Sequence, residues 1–287
     1  MCISPISIKN PRYGAKLSKD SVNRFFDVTS QYIYVPFGHC SECIHNRQMS
    51  LVQRIQAEAL DNYIFFATLT YNNESLPRLD INGYSIPFAD ISDLQNVFKR
   101  LRKSSAFGRR FRYVAVSELG SKRGRPHFHV LFMVPKFKED DDNTPYNLEG
   151  TMFKALLSEW RRNYGSTRNP IYKPLCTYTR RFIRGKLYSN YDLHYVRPFN
   201  GSDGSSDVAF YVLKYMLKDS DRATRLQQSL RLNLDPDEYE RVWSIVRPRY
   251  FTSLRFGLAP DQEGNPSSVV LSHLRKSIEV SKLQQDL

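Results

Sequence analysis

The spacing of apolar positions changes several times along the chain, and each change marks an element. Tyr63–Tyr71, YIFFATLTY, is β-branched and aromatic nearly throughout and predicts a buried central strand. Residues 91–103 switch to a helical period. Leu94, Val97, Phe98 and Leu101 fall on one side, Lys99, Arg100, Arg102 and Lys103 on the other, with Asp90 or Ser92 as cap. Residues 111–134, FRYVAVSELGSKRGRPHFHVLFMV, return to alternation and predict two strands joined by a polar turn that contains glycine. Helical spacing recurs at Ile44–Leu60, at 148–163 around Met152, Phe153, Leu156, Leu157 and Trp160, and at 207–219 behind the cap Asp207. Asp235-Pro236-Asp237-Glu238 opens a further helix to about Val246. Tyr191–Val196 alternates as a strand, and FTSLRFGL is a last strand or an extended segment. The rest reads as connection. It comprises 1–38 apart from a β-like QYIYV at 31–35, a loop over 72–89, a basic loop over 164–190, linkers at 201–207 and 259–266, and a peripheral helix over 267–287.

Charge changes this picture more than composition does. The 287 residues carry 42 Lys+Arg against 29 Asp+Glu, a net +13, which points to an anionic partner, nucleic acid first. Eighteen tyrosines and eighteen phenylalanines suit base stacking as well as a core. No apolar run approaches the ~18 residues that span a bilayer, and MCISPISIKN lacks a signal peptide's basic start and apolar middle. The expectation is a soluble, intracellular protein with no membrane partner. Its four cysteines then read as thiols or metal ligands rather than disulfides.

The 111–134 hairpin holds the strongest candidate chemistry. Alternation puts His127 and His129 on one face, with Phe128, Val130 and Phe132 on the other. If the turn sets Glu118 opposite His127, two imidazoles and a carboxylate share a face and make a three-ligand metal site with open positions. Burying imidazoles in so apolar a strand costs free energy unless they are bonded, which favours ligation over ordinary strand histidines. The turn residues Lys122, Arg123 and Arg125 are cationic and suit a phosphate-bearing substrate, as do Arg180, Arg181, Arg184 and Lys186 in the basic loop.

Two further constellations stand apart from the hairpin. Cys40 and Cys43 form a CxxC, with Cys2, His39 and His45 as further candidate ligands for a structural zinc; a loop with two buried thiols is the plainer alternative. The 207–219 helix repeats Tyr-x-x-Lys, as Tyr211 with Lys214 and Tyr215 with Lys218. Residues four apart share a helix face, so two phenols lie side by side with a lysine one turn beyond each. Beside a metal that polarises a phosphodiester, such a phenol can attack phosphorus.

Taken together, these motifs resemble the replication initiation proteins of microviruses, the gokushovirus-like branch in particular, within the HUH endonuclease superfamily. FFATLTY looks like the family's first motif, SELGSKRGRPHFHVLF its second and FYVLKYMLK its third; MCISPISIKNP and CSEC with Arg47, Arg54 and Glu58 also fit. The resemblance covers roughly residues 1–258. It implies an α+β fold, an antiparallel sheet of ferredoxin or RNA-recognition-like HUH type with helices on one face. Three parts follow: a cysteine-containing segment over 1–60, a nicking core over 61–219 and a helical extension over 220–287. It implies Glu118, His127 and His129 as ligands for Mg2+ or Mn2+, and Tyr211 and Tyr215 as nucleophiles assisted by Lys214 and Lys218. The implied activity is rolling-circle nicking of single-stranded or origin DNA in the host cytoplasm, beside host polymerase and helicase. Two rivals remain: a plasmid or transposon HUH protein with the same chemistry, and a basic single-strand-binding protein that does not cut. The latter would bind with steep salt dependence and form no covalent adduct.

Overall fold

The structure is a computed structural model, and it describes residues 5–11, 13–14, 29–35, 41–104, 109–120, 124–183, 186–189, 191–196, 221–253 and 256. The chain forms two compact units, residues 1–57 with 257–287, and residues 58–256. In the first, β1 (Ile6–Lys9) pairs antiparallel with β2 (Tyr32–Val35), so the QYIYV run has a partner in a stretch expected to be irregular. Helix α1 (Ser41–Asp61) begins three residues earlier than its apolar period suggests, and the unit boundary falls within it.

An antiparallel sheet of five strands organises the second unit. Its strands are β3 (Asn62–Thr70), β6 (Arg112–Leu119), β7 (Pro126–Pro135), β12 (Asp192–Tyr195) and β13 (Tyr250–Thr252), in the order β12-β3-β7-β6-β13. Strand β7 is central, as its apolar composition requires, since both neighbours must cover it. Every second residue faces one way: Phe65, Ala67 and Leu69 from β3, Ala115 from β6, and Phe128, Val130, Phe132 and Val134 from β7. Two helices, α2 (Ile91–Lys103) and α3 (Thr144–Glu159), seal that face with Leu94, Val97, Phe98 and Leu101 and with Met152, Ala155 and Leu156. Asp90 caps α2 by accepting the Ser92 amide at 2.8 Å, and Arg100, Arg102 and Lys103 fill its last turn, where the helix dipole favours cations. Trp160, fully buried, donates its indole N–H to the Thr70 carbonyl at 2.6 Å and ties the end of α3 to the end of β3.

Three expectations change. The expected loop over 72–89 contains a hairpin, β4 (Arg78–Ile81) and β5 (Tyr84–Pro87), turned by Asn82 and Gly83 at φ 46° and 80°. Positive φ at both central residues is the two-residue turn whose twist matches paired strands, and Asn-Gly is its preferred sequence. The helix expected over 148–163 starts at Thr144, with Pro145 in its first turn, and ends at Glu159. Arg161–Asn163 instead form β8, which pairs with β9 (Tyr172–Pro174). The basic loop therefore holds that ribbon and a second one, β10 (Arg180–Ile183) with β11 (Lys186–Ser189). Beyond the sheet, α4 (Asp221–Asn233) is a helix that apolar spacing does not mark. It packs with α5 (Pro236–Val246) and the β4–β5 hairpin around Ile86, Leu230, Tyr239, Val242 and Val246. Asp235 caps α5 through the Glu238 amide at 2.8 Å, as its sequence predicts.

Candidate metal centre

Register decides what the second face of the sheet can do. Glu118 is paired with His127 across β6 and β7, and His129 lies opposite Val116 on one side and Thr68 on the other. The expected opposition of acid and imidazole is thus present. The Glu118 Oε2 atom is 3.3 Å from His129 Nε2 and 3.6 Å from His127 Nε2. One ligand atom from each residue lies within 4.8 Å of the others, which makes the three a group able to hold a divalent ion.

The surroundings fix which nitrogen faces the centre. His127 donates Nδ1–H to the Arg125 carbonyl at 3.0 Å, which leaves the Nε2 lone pair directed at Glu118. Thr68 Oγ1 lies 3.2 Å from His129 Nδ1 and orients the second ring in the same way. Phe66 stacks on His129 at 5.3 Å, and the two imidazoles meet edge to face at 4.8 Å. Gly120 completes the turn where a side chain would collide. A Cβ there would lie 3.2 Å from the Arg125 carbonyl oxygen and 3.3 Å from His127 Cε1.

Burial sets the charge states. Glu118 is only 6% exposed, and among the described residues its Oε2 accepts no hydrogen bond. Burial pushes its carboxyl up, but the two imidazoles outweigh this and hold its pKa down at about 2. Burial pushes the His129 imidazole down, more than Glu118 raises it, which favours the neutral, ligating form. An ionised carboxylate in a dry site with two neutral imidazoles is a donor set suited to a divalent cation.

The other sequence candidates fall differently. Arg125 is committed locally: its guanidinium donates to the Tyr71 carbonyl at 2.7 Å and to Asn73 Oδ1, pinning the turn to the segment after β3. Arg180 and Arg181 sit on β10 and Lys186 on β11. Cys43 is buried in the first turn of α1. Cys2, His39, Cys40, Lys122, Arg123, Arg184, Tyr211, Lys214, Tyr215 and Lys218 lie outside the described residues. Sequence reading misses Thr68, whose role depends on register across strands 61 positions apart, and Gly120, whose need follows only from the closeness of His127. Among the described residues, no helix is long and apolar enough to cross a membrane.

Comparison with known proteins agrees with this site. A family model for the replication-associated protein ORF2 matches residues 64–220, more than half of the chain, and so includes the sheet strands from β3 to β12. Replication-associated protein ORF2 of Spiroplasma virus 4 is 28% identical over 145 residues, which is 46% of this chain and 43% of that protein. Replication-associated protein ORF4 of Chlamydia phage 1 is 28% identical over 135 residues, 45% of this chain and 31% of that protein. The match thus spans less than half the length of either curated relative. No solved structure matches the chain. With its acid and paired histidines inside the matched region, and microvirus proteins among its relatives, the chain belongs to the replication-associated protein ORF2 family.

Proposed function

We propose that the protein initiates rolling-circle replication by cutting one strand of DNA through a tyrosine. The observation that carries this reading is the convergence of Glu118, His127 and His129 on one face of a hairpin in a chain of this family. The sheet is then of the ferredoxin or RNA-recognition-like HUH type, and its histidine face is where the strand lies. His127 and His129 through Nε2, and Glu118 through a carboxylate oxygen, would hold Mg2+ or Mn2+. Such an ion, when bound, offsets phosphate charge and polarises the phosphodiester.

Tyr211 or Tyr215 supplies the nucleophile, and Lys214 or Lys218 balances the charge of the phenolate. The phenolate oxygen bonds to phosphorus while the bond from phosphorus to the 3′ oxygen breaks, and that oxygen takes up a proton. The products are a 5′-phosphotyrosine ester and a 3′-OH that a host polymerase can extend. Attack of a 3′-OH on the ester reverses the exchange, so rejoining needs no ATP. Two tyrosines let one hold the old end while the other makes the next cut. Tyr211, nearer the linker, makes the first.

The test is incubation with single-stranded origin DNA and Mn2+, followed by denaturing electrophoresis. A covalent protein–DNA band is expected from the wild type and from Tyr215→Phe, and none from Tyr211→Phe. Salt-sensitive binding without any adduct would replace this reading with that of a non-cleaving binder.

A further inference from the structure

A groove runs beside the metal hairpin that none of the chemistry above uses. It is lined by Tyr84, Ser85, Ile86, Pro87, Leu119, Gly124, Arg225 and Leu226, and its volume is about 610 Å³. That lies within the range of sites that enclose a small organic group. One wall is the β4–β5 hairpin, held by the Asn82-Gly83 turn and by Ile86, which is buried in the cluster with Leu230 and Val242. The opposite wall is the first half of α4. The floor is the end of the metal hairpin itself: Leu119 follows the ligand Glu118, and Gly124 is three residues before His127.

The chemistry of the lining selects its occupant. Ile86, Pro87, Leu119 and Leu226 are apolar, the Tyr84 ring is 57% exposed, and Arg225 is exposed on α4. No carboxylate lines the groove among the described residues. A flat apolar ring system attached to a negative charge fits such a lining, and an unpaired nucleotide is that combination. The groove also meets the candidate nucleophiles in sequence, since Arg225 follows Tyr215 by ten positions.

We propose that this groove takes one unpaired base of the strand being cut, within two nucleotides of the scissile phosphate, stacked on Tyr84 with its phosphate towards Arg225. The proposal rests on the nicking reading and adds to it a determinant of where the strand is cut. A phosphate at the Glu118–His127–His129 centre leaves the neighbouring nucleotide beside Leu119 and Gly124. The apolar walls accept any base ring, and the turn that fixes the hairpin keeps the slot open before DNA arrives.

The experiment uses the full chain and an origin oligonucleotide whose cut position has been mapped by the Mn2+-dependent adduct. A series of oligonucleotides, each with one abasic residue, is titrated by fluorescence anisotropy without divalent metal. One abasic position within two nucleotides of the cut is expected to weaken wild-type binding about tenfold, the scale of one stacked base. Tyr84→Ala should weaken the intact oligonucleotide by a similar factor and erase the difference between intact and abasic strands, while Tyr84→Phe keeps it. Ser85→Trp, an exposed position whose new ring fills the slot, should behave as Tyr84→Ala does. A mapped cut with a flat abasic scan, or an abasic penalty unchanged in Tyr84→Ala, overturns the groove and leaves nicking intact. No adduct on any strand overturns the nicking reading and the groove with it.

Discussion

The two faces of β7 divide stability from chemistry residue by residue. Phe128, Val130 and Phe132 face α2 and α3 and are fully buried in the main core. His127 and His129, between and beside them, face Glu118. One face gains free energy by excluding water, and the other holds an acid and two bases whose desolvation opposes folding. A rigid strand is what keeps a three-atom site within ångströms, so the core face supports the polar one. The division would fail if variants on the polar face unfolded the protein, or if core variants abolished chemistry in molecules that remain folded.

The largest effect is expected on the polar face. His127→Ala or His129→Ala should abolish the covalent adduct while DNA binding and the thermal midpoint stay near wild type, because the basic surface and core are untouched. Glu118→Ala should be milder, or should shift the preference among Mg2+ and Mn2+. Removing divalent metal with a chelator should reproduce the histidine variants, and added Mn2+ should restore the wild type alone. Wild-type rates from both histidine variants would move the site elsewhere.

On the other face Phe128→Ala should destabilise the fold by about 3–5 kcal/mol, the usual range for emptying a buried aromatic site. Urea unfolding measures it, and the folded fraction should still bind Mn2+. The buried ion pair below this core offers an internal control. Asp93, which accepts from Arg162 Nε at 2.8 Å and from the Tyr71 hydroxyl at 3.2 Å, should cost about 3–5 kcal/mol on replacement by alanine, since it strands a buried guanidinium.

This division is readable where it depends on alternation and poorly readable where it depends on distance. The His-x-His spacing and the acid nine positions upstream are enough to expect the pairing of Glu118 with His127, because a hairpin's short turn limits its register. Leu94, Val97, Phe98 and Leu101 likewise show which side of α2 is buried. The β4–β5 hairpin escapes a reading by pattern although Asn82-Gly83 carries the turn signal. Its strands have only four residues each, too few for alternation to stand out from a loop. No local pattern shows that Arg125 is tied to Tyr71 and Asn73, or that Thr68 reaches His129. Both contacts join residues more than fifty positions apart.

Thr68→Val sharpens the comparison by changing only how His129 is held. Loss of a hydrogen-bonding partner behind a metal-binding histidine typically lowers affinity about 10–100-fold. Mn2+ titration should show that loss, with the thermal midpoint of the metal-free protein unchanged. An equal loss of stability and no loss of metal affinity would make Thr68 a packing residue.

Acidification should affect the two faces unequally. Burial lowers the His129 pKa, so the unfolded chain takes up a proton more readily than the folded one. Its neutral form therefore supports stability above the unfolded value of ~6.5, and that support declines as pH falls below it. Glu118 acts lower: with a folded pKa of about 2 against ~4.3 unfolded, its contribution is present above ~4.3 and is lost towards pH 2. Between about pH 7 and pH 5 the histidine alone should matter. Urea unfolding of the metal-free wild type should weaken over that interval by more than that of His129→Gln, and equal weakening would refute the assignment.

The smallest effect expected is at Gly120, where the two faces meet the turn. Its added Cβ would press on the Arg125 carbonyl oxygen at 3.2 Å and on His127 Cε1 at 3.3 Å, so each neighbour must give by a few tenths of an ångström. The carbonyl has little freedom, because it accepts both the Gly120 amide at 3.0 Å and His127 Nδ1 at 3.0 Å. The ring is the softer partner and should rotate, carrying Nε2 away from Glu118. Gly120→Ala should therefore cost about 1 kcal/mol or less in folding, within the range of ordinary surface changes. It should nonetheless weaken Mn2+ binding several-fold, because ligand atoms tolerate only small displacements. Isothermal titration with Mn2+ beside urea unfolding separates the two. A loss of stability with full metal affinity would mean that the turn yields and the ring does not, and His127 would then be held more firmly by Arg125 than by the space Gly120 leaves it.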